Sequence, residues 1–380
     1  MDFTYDDEQD ALREAVRGLI GKAYGDFEYR RRAVAEDPGF SEDVWRQLGE
    51  MGILGLPFAE ADGGSGAGPI EVGIVAQELG RVIAPEPFLT SIVLAGGLVA
   101  AVGTPEQRAE VLGPLSAGES LLAFAHGEPG PGRSPQACVV TAAQADGGWR
   151  LDGVKEPVPH GARADLLVVS AALPEGGTGL FLVQPDAEGL TRTGYATPDG
   201  GRAARIDLSS TPAVPLGTPG QDVTASIGTL LDLTRIIAAN EALGALETAL
   251  RTTTGYLTSR KQFGVTLNTF QALTFRAADM YVSLELTASL VHWATMVLAE
   301  GDAEATRAAA ARVGLQVARA GRHIGKEAIQ LHGGIGMTAE YSIGSYTAHL
   351  TALELLLGDA HQHLAALSSG VGEYGALEPV

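Results

Sequence analysis

Between about residues 120 and 223 the chain changes its period, and this constrains its fold more than any other feature. Short β-type runs such as ACVVTAA, GWRLDGV, ADLLVVSAA, TGLFLVQP and RAARIDL are split there by Gly-Gly and Asp-Gly turn signals. Alternation over a few residues between such turns predicts antiparallel strands, hence a small β-barrel or sandwich. On both sides the spacing is helical. Asp6-Asp7-Glu8 opens a first helix with acidic groups at its positive end, and Leu12, Val16, Leu19 and Ile20 follow on one face. Ser41 is placed to cap a second helix, the Gly/Pro-rich stretch 56–69 interrupts, and helix resumes at Ile70 and again near Pro105. After Val223 four long amphipathic runs, 224–257, 267–299, 303–331 and 341–367, are joined by short loops and predict an up-down four-helix bundle. The expected division is a helical domain over 1–119, a β domain over 120–222 and a four-helix domain over 223–380. A chain of 380 residues is too long for one core, which agrees with such a division.

Charge narrows the function classes. A formal net charge of −20 repels nucleic acid and anionic lipid, so neither is expected as a partner. One cysteine, Cys138, excludes an internal disulfide framework and reads as a small buried strand residue. The acidic N-terminal stretch lacks the features of a signal peptide, and no run of about 18 uninterrupted apolar residues is present, so a cytosolic protein is expected.

Two segments carry chemistry: Tyr256-Leu-Thr-Ser-Arg-Lys-Gln-Phe-Gly264 followed by Phe270-Gln271, and Ile329-Gln-Leu-His-Gly-Gly-Ile-Gly-Met337. Arg260 beside a turn ended by Gly264 suits a diphosphate, which a guanidinium binds in bidentate fashion. Gly333 and Gly334 permit close backbone approach by a ligand, with Gln330 as an amide partner. Read without further context, Arg260 could equally cap its helix and the glycines could form an ordinary interhelical turn. Together, and with the helix–β–helix order, the two segments resemble the acyl-CoA dehydrogenase superfamily over essentially the whole chain. The ending Leu355-Leu-Leu-Gly-Asp-Ala-His-Gln-His363 resembles the small subunits of bacterial enzymes of the pimeloyl-CoA and sterol side-chain type.

The resemblance implies FAD as cofactor and α,β-dehydrogenation of an acyl-CoA thioester, with electrons leaving through an electron-transfer flavoprotein. It implies that Arg260 grips the FAD diphosphate across a subunit interface, that Phe263 packs near the flavin, and that Gln271, Gln330, Gly333 and Gly334 join them. Asp359 and His361 stand where relatives contact adenine. In the β module, Phe124-Ala-His-Gly-Glu-Pro-Gly130 falls on the strand and turn that meet the flavin ring, which makes Phe124 and His126 cofactor-side residues. The chain departs from that pattern at Gly127, where a threonine is usual, and at Pro157 and Pro159, where tryptophan and threonine are usual. Both departures remove contacts to the isoalloxazine.

The usual base positions hold Leu357 and Thr234, the latter before Arg235, so neither usual glutamate is present. Glu241, two helical turns past Thr234 on the same face and among apolar neighbours, is the remaining candidate base, with Arg235 the second catalytic candidate. Its other reading is a structural partner of a cation in the bundle. Glu354, three residues before Leu357, is a weaker candidate. His349, His361 and His363 lack the spacing of a metal site, so no metal is expected. His332 reads as a turn or interface residue, and Met280, Tyr281, Trp293 and Met296 as bundle core. Three functions stay open: a working dehydrogenase subunit with Glu241 as base; a non-catalytic subunit that completes the FAD site of a paired chain; and an oxygen-using flavin oxidase or monooxygenase on the same fold. A homo- or heterotetramer is expected in each case.

Overall fold

The computed structural model describes residues 4–130, 139–145 and 147–373; Cys138 lies outside them. Seven helices come from the flanks of the β stretch up to the long helix that follows it: α1 Asp7–Tyr24, α2 Phe27–Ala35, α3 Glu42–Glu50, α4 Pro69–Arg81, α5 Gly97–Val102, α6 Pro105–Ser116 and α7 Thr224–Ser259. Local signals set their starts. Asp6 and Gln9 form a capping box on α1, Ser41 Oγ accepts from Val44 N on α3, and Thr104 with Gln107 boxes α6. Between α4 and α5 runs a π-helical stretch, Phe88–Gly96, almost wholly buried.

The strands are β1 Leu122–Ala125, β2 Thr141–Ala145, β3 Gly148–Pro159, β4 Leu166–Ala172, β5 Thr178–Val183, β6 Leu190–Ala196 and β7 Arg202–Pro215. They form one mixed sheet in the order β1-β4-β2-β3-β7-β5, with β6 on β7 and β5 also on β4. The antiparallel expectation is corrected at β4, which pairs with β1 and β2 in parallel. A parallel pair needs a long crossover, and the forty residues from β1 to β4 supply it, which local alternation could not reveal.

After a small hairpin, β8 Lys261–Gln262 and β9 Val265–Thr266, come α8 Gln271–Glu300, α9 Ala303–His332, α10 Ile343–Leu357 and α11 Ala360–Ser369. The run expected as a single fourth helix is therefore two helices. Gly358, at φ 120°, ends α10, and Asp359 caps α11 by accepting from Gln362 N. Met280 is fully buried as expected of core, but Tyr281 is 56 % exposed, one position around the helix from it. Among the described residues α8 is long and apolar enough to cross a membrane by length and composition; it packs along α9.

Two compact units result. One comprises residues 6–76 and 84–234 and holds the sheet with the N-terminal helices. Among the described residues, the other comprises 4–5, 77–83 and 235–373 and holds the C-terminal helices with the end of α4. The first unit contains a buried polar knot. Tyr24 Oη donates to Glu86, whose burial pushes its carboxyl up to about 7 against the help of Tyr24, Ser41 N and the Arg30 charge. His160, packed edge-on to Phe40, is pushed down to about 4 by burial.

Candidate functional site

The helical unit presents the Arg260 and Gly-rich segments as open elements. α7 ends where Arg260 N bonds Tyr256 O at 2.9 Å, and the β8–β9 hairpin follows at once. Its turn residues Phe263 and Gly264 both have positive φ, 53° and 81°, the requirement of a tight two-residue hairpin turn. This geometry throws the Phe263 ring outward, 91 % exposed, with Phe270 edge-on at 6.2 Å. Arg260 and Gln271 are exposed beside it. At the other segment, α9 ends at Gly333 with φ 64° and its N–H turned back to Ile329 O and Gln330 O. Gln330, Gly333 and Gly334 are exposed, and a Cβ at either glycine would meet no atom within 4 Å. An exposed guanidinium, an exposed aromatic face and a bare Gly-Gly backbone fit the diphosphate and adenosine half of a dinucleotide.

The carboxylate Glu241 is held differently. α7 crosses the end of α4 at glycines: a Cβ on Gly80 would strike the Glu241 carbonyl, and one on Gly244 the Gln77 carbonyl. Glu241 is 7 % exposed, and its Oε1 lies 2.8 Å from Nε2 of His349 on α10. The expectation of purely apolar surroundings is thus corrected; a histidine 108 residues away in sequence supplies a polar partner. Thr234, seven residues earlier on α7, is about 10 Å back along the helix, and its Oγ1 donates to Leu230 O at 2.6 Å. Glu354 is bound in an ion pair with Arg322.

The remaining positions near the C-terminus take separate roles. Asp359 serves as the N-cap of α11, and His361 is exposed. His363 is buried with its ring against the backbone of Gly314, and burial first, then the Arg235 charge, holds it below the ordinary histidine range. So the structure brings Arg235 near His363 and Glu241 onto His349. Among the described residues no group of three or more metal-type ligands is gathered.

In the β module, Phe124 and His126 stack face to face, 4.9 Å apart at 9°. His126 Nδ1 lies 2.8 Å from Ser170 Oγ. Below them is a residue that sequence reasoning passed over. Lys155 is fully buried, and its ammonium donates to Glu128 Oε1 at 2.7 Å, Ser170 Oγ at 3.1 Å and His126 O at 3.2 Å. Three donors meet three acceptors, and Glu128 also accepts from Val139 N and Val140 N. The sequence hint was Glu128 within the Phe124–Gly130 run and Lys155 two residues ahead of Pro157. The two departures prove to be one: a Cβ at Gly127 would sit 3.2 Å from Pro157 O and 3.4 Å from Pro157 Cδ. A side chain at position 127 would therefore crowd the Glu156-Pro157 backbone and fit only with a small shift of that turn.

Comparison with known proteins agrees with this architecture. Residues 6–119 match the acyl-CoA dehydrogenase N-terminal domain, and residues 224–371 the acyl-CoA dehydrogenase C-terminal domain. The acyl-CoA dehydrogenase FadE27 of Mycobacterium tuberculosis is 30% identical over 381 residues, covering 98% of this chain and 99% of that protein. Among solved structures, the Tcur3481-Tcur3483 steroid ACAD, solved as a variant, is 32% identical with a TM-score of 0.87, covering 96% of this chain and 98% of that one. The ChsE4-ChsE5 complex of Mycobacterium tuberculosis is 30% identical with a TM-score of 0.87, covering 99% of this chain and 100% of its counterpart.

Proposed function

The chain belongs to the acyl-CoA dehydrogenase family, and from that premise we propose that it is one subunit of a heteromeric, FAD-dependent dehydrogenase that desaturates an acyl-CoA thioester at its α,β bond. The observation that carries this reading is the contrast within one chain. The Arg260 and Gly333 elements are open, while position 127 is crowded by the Pro157 turn and the candidate base Glu241 is tied to His349.

When bound, FAD supplies the acceptor for the β-hydride. Arg260 would neutralise the diphosphate, Phe263 would offer an aromatic face, and Gln271, Gln330 and the Gly333-Gly334 backbone would hold the adenosine side. Phe124 and His126, the latter held by Ser170, would serve the ring side of the cofactor, and Asp359 and His361 its adenine side. A companion chain supplies the carboxylate that takes the α-proton, because Thr234 and Leu357 cannot. The complexes named for the steroid ACAD pair and for ChsE4-ChsE5 support a two-chain assembly and a bulky, sterol-type acyl group. We take the assembly as a tetramer in the cytoplasm, with an electron-transfer flavoprotein as acceptor, and the chain's division as 1–119, 120–222 and 223–380.

One observation favours a second reading, a self-sufficient subunit with Glu241 as base and Arg235, six residues earlier on α7, as the second catalytic residue. Glu241 is a buried carboxylate with a titratable partner, as a general base requires. The experiment that separates them is anaerobic acyl-CoA addition to the flavin-loaded assembly, wild type against Glu241→Gln. Flavin bleaching that survives the substitution supports the companion's base. Bleaching slowed about a thousandfold or more would assign the proton transfer to Glu241.

A further inference from the structure

The last turn of α9 holds a histidine that the dehydrogenation leaves unused. His332 is 3 % exposed, and three elements close on it. Its ring packs on Tyr256 of α7, tilted by 30° with centroids 4.5 Å apart, and lies 4.9 Å from Tyr341, just ahead of α10. Gly336 folds back over the same turn, so near that a Cβ there would stand 3.1 Å from the His332 Cβ and 2.8 Å from Ile329 O. His332 is therefore the residue over which the turn folds back at Gly336, while its ring is held by Tyr256, Tyr341 and the Ala328 carbonyl.

Its hydrogen bonding fixes its protonation. Nδ1 is 2.8 Å from Ala328 O. A carbonyl can only accept, so Nδ1 carries the proton and Nε2 keeps its lone pair. Nε2 is buried without any partner. As a bare acceptor among rings it costs little; with a proton it would be a charged donor facing no acceptor. Two influences favour the charged form, the Ala328 carbonyl and the negative end of the α9 dipole. Burial opposes them and wins, holding His332 below the ordinary histidine range. The titratable groups packed against the ring are the phenols of Tyr256 and Tyr341, and burial pushes the Tyr341 phenol above its ordinary value.

We propose that His332 is a positioning residue for the Gly333–Gly336 turn: the neutral imidazole locks the turn, and the imidazolium releases it. The use of the lock rests on the reading of that turn as the adenosine-side cradle, since backbone amides bind a cofactor well only when held in place beforehand. The direction in pH follows from linkage. The released state takes up the proton more readily, so the lock is complete above the ordinary histidine value of about 6.5 and weakens as pH falls below it.

The test is hydrogen exchange of residues 333–337 in the wild-type chain without cofactor, corrected for intrinsic exchange, at roughly pH 7.5 and pH 5. Protection of these amides should drop about tenfold at the acid end while the interior of α8 holds. His332→Phe keeps the ring stack and removes both nitrogens, so its protection should be flat between the two conditions. A flat wild-type profile, or the same acid loss in His332→Phe, overturns the proposal. Neither result depends on FAD, so failure of the cofactor reading would appear separately, as an assembly that retains no flavin.

Discussion

The Arg260 hairpin with the Gly333 turn and the core of the β module are both built around charge and glycine, yet in opposite ways. In the helical unit the charge is exposed and the glycines face open space. In the β module the ammonium of Lys155 is fully buried and satisfied, and a side chain at Gly127 would crowd the Pro157 turn. An open element can change its partner and keep its fold; a filled one can keep only its fold. The contrast teaches that one family motif can stay open to a partner while another in the same chain is packed into its own unit's structure.

Substitutions should sort along this line, costing stability in the buried networks and cofactor retention in the open elements. The largest effect is expected for Lys155→Met. It strands the part-buried Glu128 carboxylate and should lower unfolding free energy by about 3–5 kcal/mol in a denaturant titration. A loss under about 1 kcal/mol would mean that the module does not depend on this ammonium. Next is Glu86→Gln. Folding holds Glu86 protonated up to about 7, against about 4.5 when unfolded, so its stability contribution is full below the lower value and is lost as pH rises through the upper one. Glu86→Gln should therefore stabilise the chain at alkaline pH, by on the order of 3 kcal/mol, and flatten the decline between pH 5 and 8. An unchanged melting profile at pH 8 would contradict it. Glu241→Gln weakens the bond to His349 and should cost about 1–2 kcal/mol by the same titration. Arg260→Ala should leave unfolding within about 0.5 kcal/mol of wild type, since the side chain is exposed, while raising the FAD dissociation constant about ten- to a hundredfold. Were Arg260→Ala to unfold the chain as Lys155→Met does, the distinction between open and filled elements would collapse.

The sequence was legible where the physics is local. Capping residues at Asp6, Ser41 and Thr104, the turn glycines and the two family segments all act within a few positions of themselves. Partners remote in sequence were not legible. Nothing near Glu241 announces His349, and nothing near Lys155 announces Ser170, because only the fold brings them together. The parallel pairing of β4 was hidden for the same reason. The break at Gly358 was visible as a Gly-Asp pair but was masked by apolar spacing that runs through both helices. Tyr281 misled in the other direction: its helix carries apolar side chains well beyond its buried stripe, including Phe275, Val282 and Leu286.

The central claim, that this chain bears only part of a flavin site, is tested most directly by the flavin content of the chain purified alone, followed by anaerobic addition of an acyl-CoA panel. The account predicts well under one FAD per chain and no bleaching. One tightly held FAD per chain, bleached by an acyl-CoA, would contradict it and would make this single chain a complete dehydrogenase.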